Sequence, residues 1–436
     1  MIAWSDMDEA VREGVRDWID KNVRPNIDAI ESGGLLPFDL VRDFFAAFGL
    51  DAMASEAVQK MLSGERRRAE RTPEEVAAAK AAKAAKAAKA ERTSAPANPL
   101  EGFEGIPSMG AVILSELAGV SLGTIASMGV SIGLGAGTIA AKGTLEQKER
   151  WLPRIVSAEH IASWAITEPD SGSDAFGGMK TTVRRDGDEF VLNGNKTFIT
   201  NGPIADVLVV YAKLDEGDGT PVRDRQVLTF VLEKGDPGLT QGNAFNKMGM
   251  VSSPTGELFF DDVRLGMDRL LGGPAALDRT SKVADGRDSA RSSFVMERIG
   301  CAILSLGIIN ECHRLSIDYA KKRELWGRPI SDFQLIQLKL AKMEVARLNV
   351  QNMVFSALEH LQTGKVPTLA EASAMKLYST EAATDVAMDA VQLFGGNGYM
   401  AEYRVEQLAR DAKSLMIYAG SNEIQVTHVA KGLLSS

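Results

Sequence analysis

Five short segments of this chain carry side chains suited to chemistry. In Trp164-Ala165-Ile166-Thr167-Glu168-Pro169-Asp170-Ser171-Gly172-Ser173-Asp174, an apolar strand runs into a tight turn that offers hydroxyls and free backbone N–H groups. Such an edge suits a polar planar ligand, and it suits a plain structural turn equally. Lys196-Thr197-Phe198-Ile199-Thr200-Asn201-Gly202 can present one flat face, Phe198, and one hydroxyl, Thr200, to an aromatic cofactor. A lone phenylalanine in a strand is more commonly core. Arg323-Glu324-Leu325-Trp326-Gly327-Arg328, with Phe333-Gln334 beyond it, holds arginines whose planar forks can donate paired bonds to a pyrophosphate. A surface ion pair at a helix end is the commoner fate of a single arginine. In Ala390-Val391-Gln392-Leu393-Phe394-Gly395-Gly396-Asn397-Gly398-Tyr399 the adjacent glycines permit close backbone approach to a ligand, or simply cap a helix. Glu297, in Phe294-Val295-Met296-Glu297-Arg298-Ile299-Gly300, is an acid among apolar neighbours where a long helix begins. It is a candidate proton acceptor. The plain alternative is a first-turn glutamate favoured by the helix dipole or paired with Arg298.

These segments must be held by elements of two kinds. Residues 1 to about 60 read as amphipathic helices: Val11, Val15, Trp18, Ile19 and Val23 recur at helical spacing up to Pro25, and Leu40, Val41, Phe44, Phe45 and Phe48 follow Pro37. From about 161 to 270 the pattern is strands and turns. Asp186-Gly187 and Asn193-Gly194 give two hairpin-type signals around a short apolar strand, and residues 207–211, 227–232 and 257–260 read as further strands. From about 290 the chain is helical again in four long segments broken at Gly327 and at Gly395-Gly396-Asn397-Gly398. The expected architecture is α+β: an N-terminal helical domain (1–160), a middle antiparallel β domain (161–275) and a C-terminal four-helix bundle (276–436).

The first domain carries an Ala/Lys-rich insertion at about 64–99, running from Glu65-Arg66-Arg67-Arg68 through repeated Ala-Ala-Lys to Pro99. Alanine and lysine favour helix, yet nothing there larger than alanine can anchor a core. An exposed helix between linkers and a basic patch for an anionic partner both fit this composition.

Composition narrows the function. With 436 residues and 45% apolar content the chain can bury several cores, and a formal charge of −9 argues against nucleic-acid binding. Cys301 and Cys312 lack metal or CxxC spacing and suggest buried thiols in a reducing, cytoplasmic setting; no metal site is expected. The first residues lack the basic-then-apolar pattern of a signal peptide. Leu117 to Ala141 is uncharged and long enough to span a bilayer, but its many glycines favour a helix buried in the protein over an integral membrane segment. Gly133-Leu134-Gly135-Ala136-Gly137-Thr138 lacks the last glycine of a dinucleotide fingerprint and lies in that helical run.

Four of the chemical segments, in order, resemble those of the acyl-CoA dehydrogenase family, flavoenzymes that desaturate acyl thioesters. The first matches T-E-P-x-x-G-S-D at every fixed position, and the second is similar to the family's flavin-stacking W/F-I-T-N-G. The resemblance is loose over residues 1 to about 52 and close from about 105 to 436. It implies FAD as cofactor. Trp164, Ile166 and Thr167 would meet the flavin ring, Ser173 would lie by flavin and thioester, and Phe198 and Thr200 would stack on the flavin. Arg323, Trp326 and Gln334 would bind FAD, often across a subunit boundary. Gln392, Leu393, Gly395 and Gly396 would meet a neighbouring subunit's FAD, with Ser421 and Glu423 near the same cofactor. The implied partners are an acyl-CoA substrate, an electron-transfer flavoprotein and further copies of the chain, as a dimer or homotetramer.

One position departs from many members. In Tyr418-Ala419-Gly420-Ser421-Asn422-Glu423 an alanine stands where they carry the glutamate that removes the substrate's α-proton. Isovaleryl-CoA and long-chain acyl-CoA dehydrogenases instead carry that glutamate in an E-R segment similar to Glu297-Arg298, with a small residue at the place of Ala419. The resemblance thus implies Glu297 as base, with Arg298, Ala419 and Gly420 at the substrate and the Ala419 N–H as donor to the thioester carbonyl. Val295 replaces the isovaleryl-type aspartate, so that substrate does not transfer. The rival readings are a flavin monooxygenase or acyl-CoA oxidase on the same scaffold, a dehydrogenase of carrier-protein-bound thioesters, and a non-catalytic flavoprotein.

Overall fold

A computed structural model describes residues 3–72, 75, 107–278 and 286–435. The repeated Ala/Lys run lies outside the described residues. Helix α1 (Asp6–Asn22) opens with a capping box between Ser5 and Asp8 and buries Val15 and Ile19. After the short α2 (Ile27–Glu31), helix α3 (Pro37–Phe48) buries Leu40, Val41, Phe44 and Phe45 and ends at Gly49 in the left-handed conformation. Helix α4 (Leu50–Ala69) takes in the Glu65–Arg68 run that the sequence assigned to the insertion. Two long-range ion pairs draw it in: Lys148 Nζ lies 2.7 Å from Glu65 and Arg66 lies 2.6 Å from Glu149.

Helices α5 (Pro107–Ala118), α6 (Leu122–Met128), α7 (Gly137–Lys142) and α8 (Leu145–Val156) complete the first layer, with a π-helical stretch, Gly129–Ala136, joining α6 to α7. The glycine-rich motif rejected as a dinucleotide loop lies in this helical run. Leu122–Lys142 and Ser293–Lys322 are long and apolar enough to cross a membrane, but both are substantially enclosed by protein and read as core helices.

Seven strands form one sheet: β1 (Ala162–Ala165), β2 (Thr182–Asp186), β3 (Glu189–Thr200), β4 (Val207–Asp215), β5 (Val227–Glu233), β6 (Leu239–Gln241) and β7 (Thr255–Leu265), in the order β1-β4-β2-β3-β7-β6 with β5 also on β4. The sheet is mixed, which corrects the antiparallel expectation: β4 runs parallel to both β1 and β2, while the other pairings are antiparallel. Local turn signals report hairpins only, whereas the pairing of β1 with β4 follows from a long connection. Strand β4 is buried on both faces, as its apolar run from Val207 to Ala212 requires.

Asn193-Gly194, read as a hairpin turn, is instead a bulge inside β3, where the register on β7 shifts. Gly194 has φ +140°, and a β-carbon there would stand 2.6 Å from the Thr181 hydroxyl. Only glycine permits that approach.

Three long helices, α9 (Gly286–Lys322), α10 (Gln334–Gln362) and α11 (Leu369–Phe394), and two short ones, α12 (Val405–Leu415) and α13 (Asn422–Leu434), replace the four expected long segments. Their shared core contains Ile299, Leu306, Ile309, Val350, Val386 and Leu408.

A buried ion pair ties the loop after β1 to strand β3. Lys196 Nζ, fully enclosed, lies 2.8 Å from Glu168 and donates to the Ile166 carbonyl at 3.0 Å. Glu168 also accepts from the backbone N–H groups of Lys180 and Thr181. These bonds and the Lys196 cation hold the Glu168 carboxyl below its ordinary range against the opposing effect of burial. Removing one member of such a pair strands the other charge. Glu168→Gln is expected to destabilise the fold by about 3 kcal/mol, read as a lower unfolding midpoint, and pairing it with Lys196→Met should restore much of the loss.

Candidate active site

The site residues fall into three groups. In the first, the loop after β1 and the end of β3 are tied together by Lys196 and by the bond from Thr197 N–H to the Thr167 carbonyl, 3.0 Å. Ile166 is buried and Thr167 half-buried, whereas Ser173 is exposed on the loop beyond. Trp164 is half-buried; its indole N–H donates to Thr138 Oγ1 at 3.1 Å, and its ring stands edge-on to Tyr211 and Phe294.

Phe198 points out of the core, 68% exposed, at φ +57° where β3 shifts register. A non-glycine residue held there costs about 1–3 kcal/mol, and such strain concentrates at functional sites. Asn201, at φ +63°, donates to the carbonyls of Ser127 and Ala162, so this end of the strand is anchored from behind.

The second group surrounds Glu297. The glutamate lies about three turns into α9, beyond the reach of the helix dipole, which removes the first-turn explanation. It is partly buried, and desolvation pushes its carboxyl up to about 7 although Arg298 and Lys376 pull the other way. Arg298 is buried, donates to Ser373 Oγ at 3.0 Å and lies over the Phe294 ring; its Nε has no partner among the described residues. Cys301, one helical turn on, is buried with its thiol pushed up to about 12, so it stays neutral beside the base.

Ala419 and Gly420 form a turn between α12 and α13, both left-handed at φ +57° and +80°. The Lys376 ammonium donates to the Gly420 carbonyl and to Asn422 Oδ1, each at 2.9 Å, and Gln425 Nε2 donates to the carbonyls of Ala419 and Gly420 at 3.2 and 2.6 Å. A β-carbon on Gly420 would lie 3.7 Å from Arg298 Nη2. The turn therefore borders the Glu297–Arg298 step of α9. Ser421 occupies the N-cap position of α13 without a side-chain capping bond, and Glu423 is exposed in the first turn.

The third group is on the outer surface. Arg323, Trp326 and Gln334 are exposed around a small hairpin of β8 (Glu324–Leu325) and β9 (Arg328–Pro329), with Trp326 86% exposed at φ +52°. Arg323 has no ion-pair partner among the described residues, unlike most arginines here. At the end of α11, Gln392, Gly395 and Gly396 are exposed, Leu393 is buried, and neither glycine meets an atom within 4 Å of a notional β-carbon. No hydrogen bond or ring contact joins this group to the other two among the described residues.

Sequence reasoning passed over Lys376, Gln425, Asn422 and Tyr418. The signal for Lys376 was available: it falls on the buried stripe of α11 with Ala372, Ser373, Thr380 and Ala383, a place where a lysine is unusual. The other three sit in the segment around Ala419, where residue type alone gives no sign of their partners.

The exposed aromatic beside hydroxyls, and separately an arginine without an ion-pair partner and open glycine backbone, are groups of the kinds that fit a planar, pyrophosphate-bearing cofactor. Together with the helix–sheet–helix order, these groups suit a flavin-dependent oxidoreductase. The chain matches the family models for acyl-CoA dehydrogenases in all three parts: the N-terminal domain over residues 50–159, the middle domain over 163–263 and the C-terminal domain over 284–434. It is 37% identical over 325 residues to an acyl-CoA dehydrogenase of Bacillus subtilis (strain 168), covering 74% of this chain and 81% of the relative. Among solved structures, butyryl-CoA dehydrogenase from Megasphaera elsdenii superposes with TM-score 0.78 at 27% identity over the whole of both chains. A glutaryl-CoA dehydrogenase from Mycobacterium smegmatis in complex with FADH2 gives 0.79 at 25% identity, covering 99% of this chain and 96% of that one. The chain belongs to the acyl-CoA dehydrogenase family, and FAD is its cofactor.

Glu297 has a folded-state pKa raised above its unfolded value. Its contribution to stability is therefore full below the unfolded pKa near 4.5 and is lost as pH rises through about 7. Glu297→Gln removes that loss. The variant should melt at a higher temperature than the parent at pH 8, with the difference vanishing near pH 5, as read by calorimetry of the two proteins across that range.

Proposed function

We propose that this chain catalyses the FAD-dependent α,β-desaturation of an acyl-CoA thioester with Glu297 as base. The observation that carries the reading is that Glu297, with its carboxyl raised to about 7, is the chain neighbour of Arg298, whose guanidinium borders the Ala419–Gly420 turn. The two positions are far apart in sequence, yet Arg298 brings them together. A thioester α-proton is weakly acidic, so its removal needs a carboxylate in a water-poor place and a polarised carbonyl. Glu297 takes the proton from Cα while the Ala419 N–H donates to the thioester oxygen. The pair of electrons left at Cα forms the Cα=Cβ bond as hydride departs from Cβ. FAD, when bound, supplies the two-electron acceptor for that hydride.

Trp164, Ile166, Thr167, Ser173, Phe198 and Thr200 would hold the flavin ring. Arg323, Trp326, Gln334, Gln392, Leu393, Gly395, Gly396, Ser421 and Glu423 would hold the rest of FAD, in part on a neighbouring copy. The neighbour is a second copy in a homotetramer: α10, whose N-cap Phe333 stacks edge-on to Trp326, exposes Leu335, Leu338, Val345 and Leu348 along its length. The electron acceptor is an electron-transfer flavoprotein and the setting cytoplasmic. No observation favours an oxidase, a monooxygenase or a carrier-protein substrate over this reading.

The test is anaerobic bleaching of the FAD holoenzyme by straight and branched acyl-CoAs of increasing length. The parent should bleach with at least one. Glu297→Gln should bind the same thioester and lose at least about 10²-fold in bleaching rate, since a general base contributes 10²–10⁴. Undiminished bleaching in the variant would remove Glu297 as base. Ala419→Glu added to Glu297→Gln should recover part of the rate if the two positions share one pocket. The outer surface has its own test. Leu335→Glu with Leu338→Glu should break the assembly, seen by light scattering as a smaller mass, and lower the FAD retained per chain.

A further inference from the structure

We propose that Lys376 and Gln425 are positioning residues that hold the Ala419 N–H toward the substrate. This deepens the proposed function and rests on its assignment of that N–H to the thioester carbonyl.

Both side chains are fully buried. Lys376 makes no direct ion pair among the described residues: its recorded acceptors are the Gly420 carbonyl and Asn422 Oδ1, both neutral. An enclosed ammonium without a carboxylate in contact is costly, and a methionine would fill the same space more cheaply. What the charge achieves locally is a grip on the turn. Gln425 adds a second grip, with Nε2 shared between the carbonyls of Ala419 and Gly420. Thr380 Oγ1 donates to Asn422 Oδ1, which keeps that amide turned toward the lysine.

The turn needs such a grip because Ala419 is left-handed without being glycine. Released, the alanine returns to negative φ, and that rotation swings the Tyr418–Ala419 peptide and its N–H. The Ala419 N–H is outside the turn's own bonds, which run from Ile417 and Tyr418 to Ser414 and from Asn422 to Met416. Its direction is therefore set by the carbonyls on the far side. Drawing the oxygens of residues 419 and 420 inward leaves the N–H of 419 for a ligand. The groups facing Lys376 are Glu297, Arg298 and Cys301 from α9 and Glu423 from α13, so its charge also lies in the field of the base.

The experiment uses FAD holoenzyme carrying Glu297→Gln, so that a bound thioester is not consumed. The probe is a 13C-carbonyl acyl-CoA, the one that bleaches the parent fastest, and the readout is its carbonyl stretch by difference infrared spectroscopy. The stretch should move to lower frequency on binding Glu297→Gln. Adding Lys376→Met or, separately, Gln425→Leu should abolish most of that shift with affinity changed less than about threefold. In the Glu297-containing enzyme each single change should lower kcat by about 10²-fold with KM nearly constant, the expected cost of one misplaced oxyanion donor. A full shift retained in both added variants overturns the proposal, as does the absence of any shift in Glu297→Gln. If the parent bleaches with no acyl-CoA, the proposed function fails first, an outcome separate from these. Two independent variants guard against one that does not fold.

Discussion

Helix α9 lies against α5 so closely that a β-carbon on Gly307 would stand 2.1 Å from the Ser115 carbonyl oxygen, and one on Gly119 would stand 2.9 Å from the Gly307 carbonyl. That contact fixes where α9 sits, and α9 fixes nearly everything else at the site. Toward its N-terminal end Phe294 meets Trp164 of the sheet. One turn later come Glu297 and Arg298, and farther along Glu311 pairs with Arg24 at 2.8 Å beyond α1. A single rigid rod therefore registers three layers against one another. The carboxylate it carries is set by packing made elsewhere along its length.

The same helix shows how much of the molecule was legible in the sequence. The order helices, strands, helices and the chemical segments could be read directly, because apolar periodicity and turn residues are local signals. The matching segments also pointed to Glu297 and Ala419 as a pair. What could not be read is set by contacts between distant elements. Asn193-Gly194 has the composition of a turn, but strand pairing made it a bulge. Glu65 to Arg68 looked like the start of a charged insertion, yet ion pairs to α8 made it the last turn of a helix. The left-handed backbone at Phe198 and Ala419 has no signature, since neither residue prefers it and only the surroundings impose it.

Buried lysines show a second limit. Lys196, Lys213 and Lys376 are all fully enclosed, and ordinary composition rules place lysine at the surface. Burial pulls both Lys196 and Lys376 down to about 8. Lys196 meets its carboxylate in Glu168, and the pair is structural. Lys376 meets carbonyl oxygens beside the site, and its field acts on a glutamate it does not touch. The same residue type in the same degree of enclosure thus serves two ends, and only its partners tell them apart.

On the proposed reading, the proton acceptor and the carbonyl donor ride on separate bodies, α9 and the α12–α13 turn. With a glutamate at position 419, one residue would carry both. Here the gap between the two groups is a dimension of the helical domain itself, open to whatever breathes between its layers. Catalysis then works as a strain gauge: hydrostatic pressure, or a swap of one core side chain far from the substrate, should register in turnover before it registers in melting.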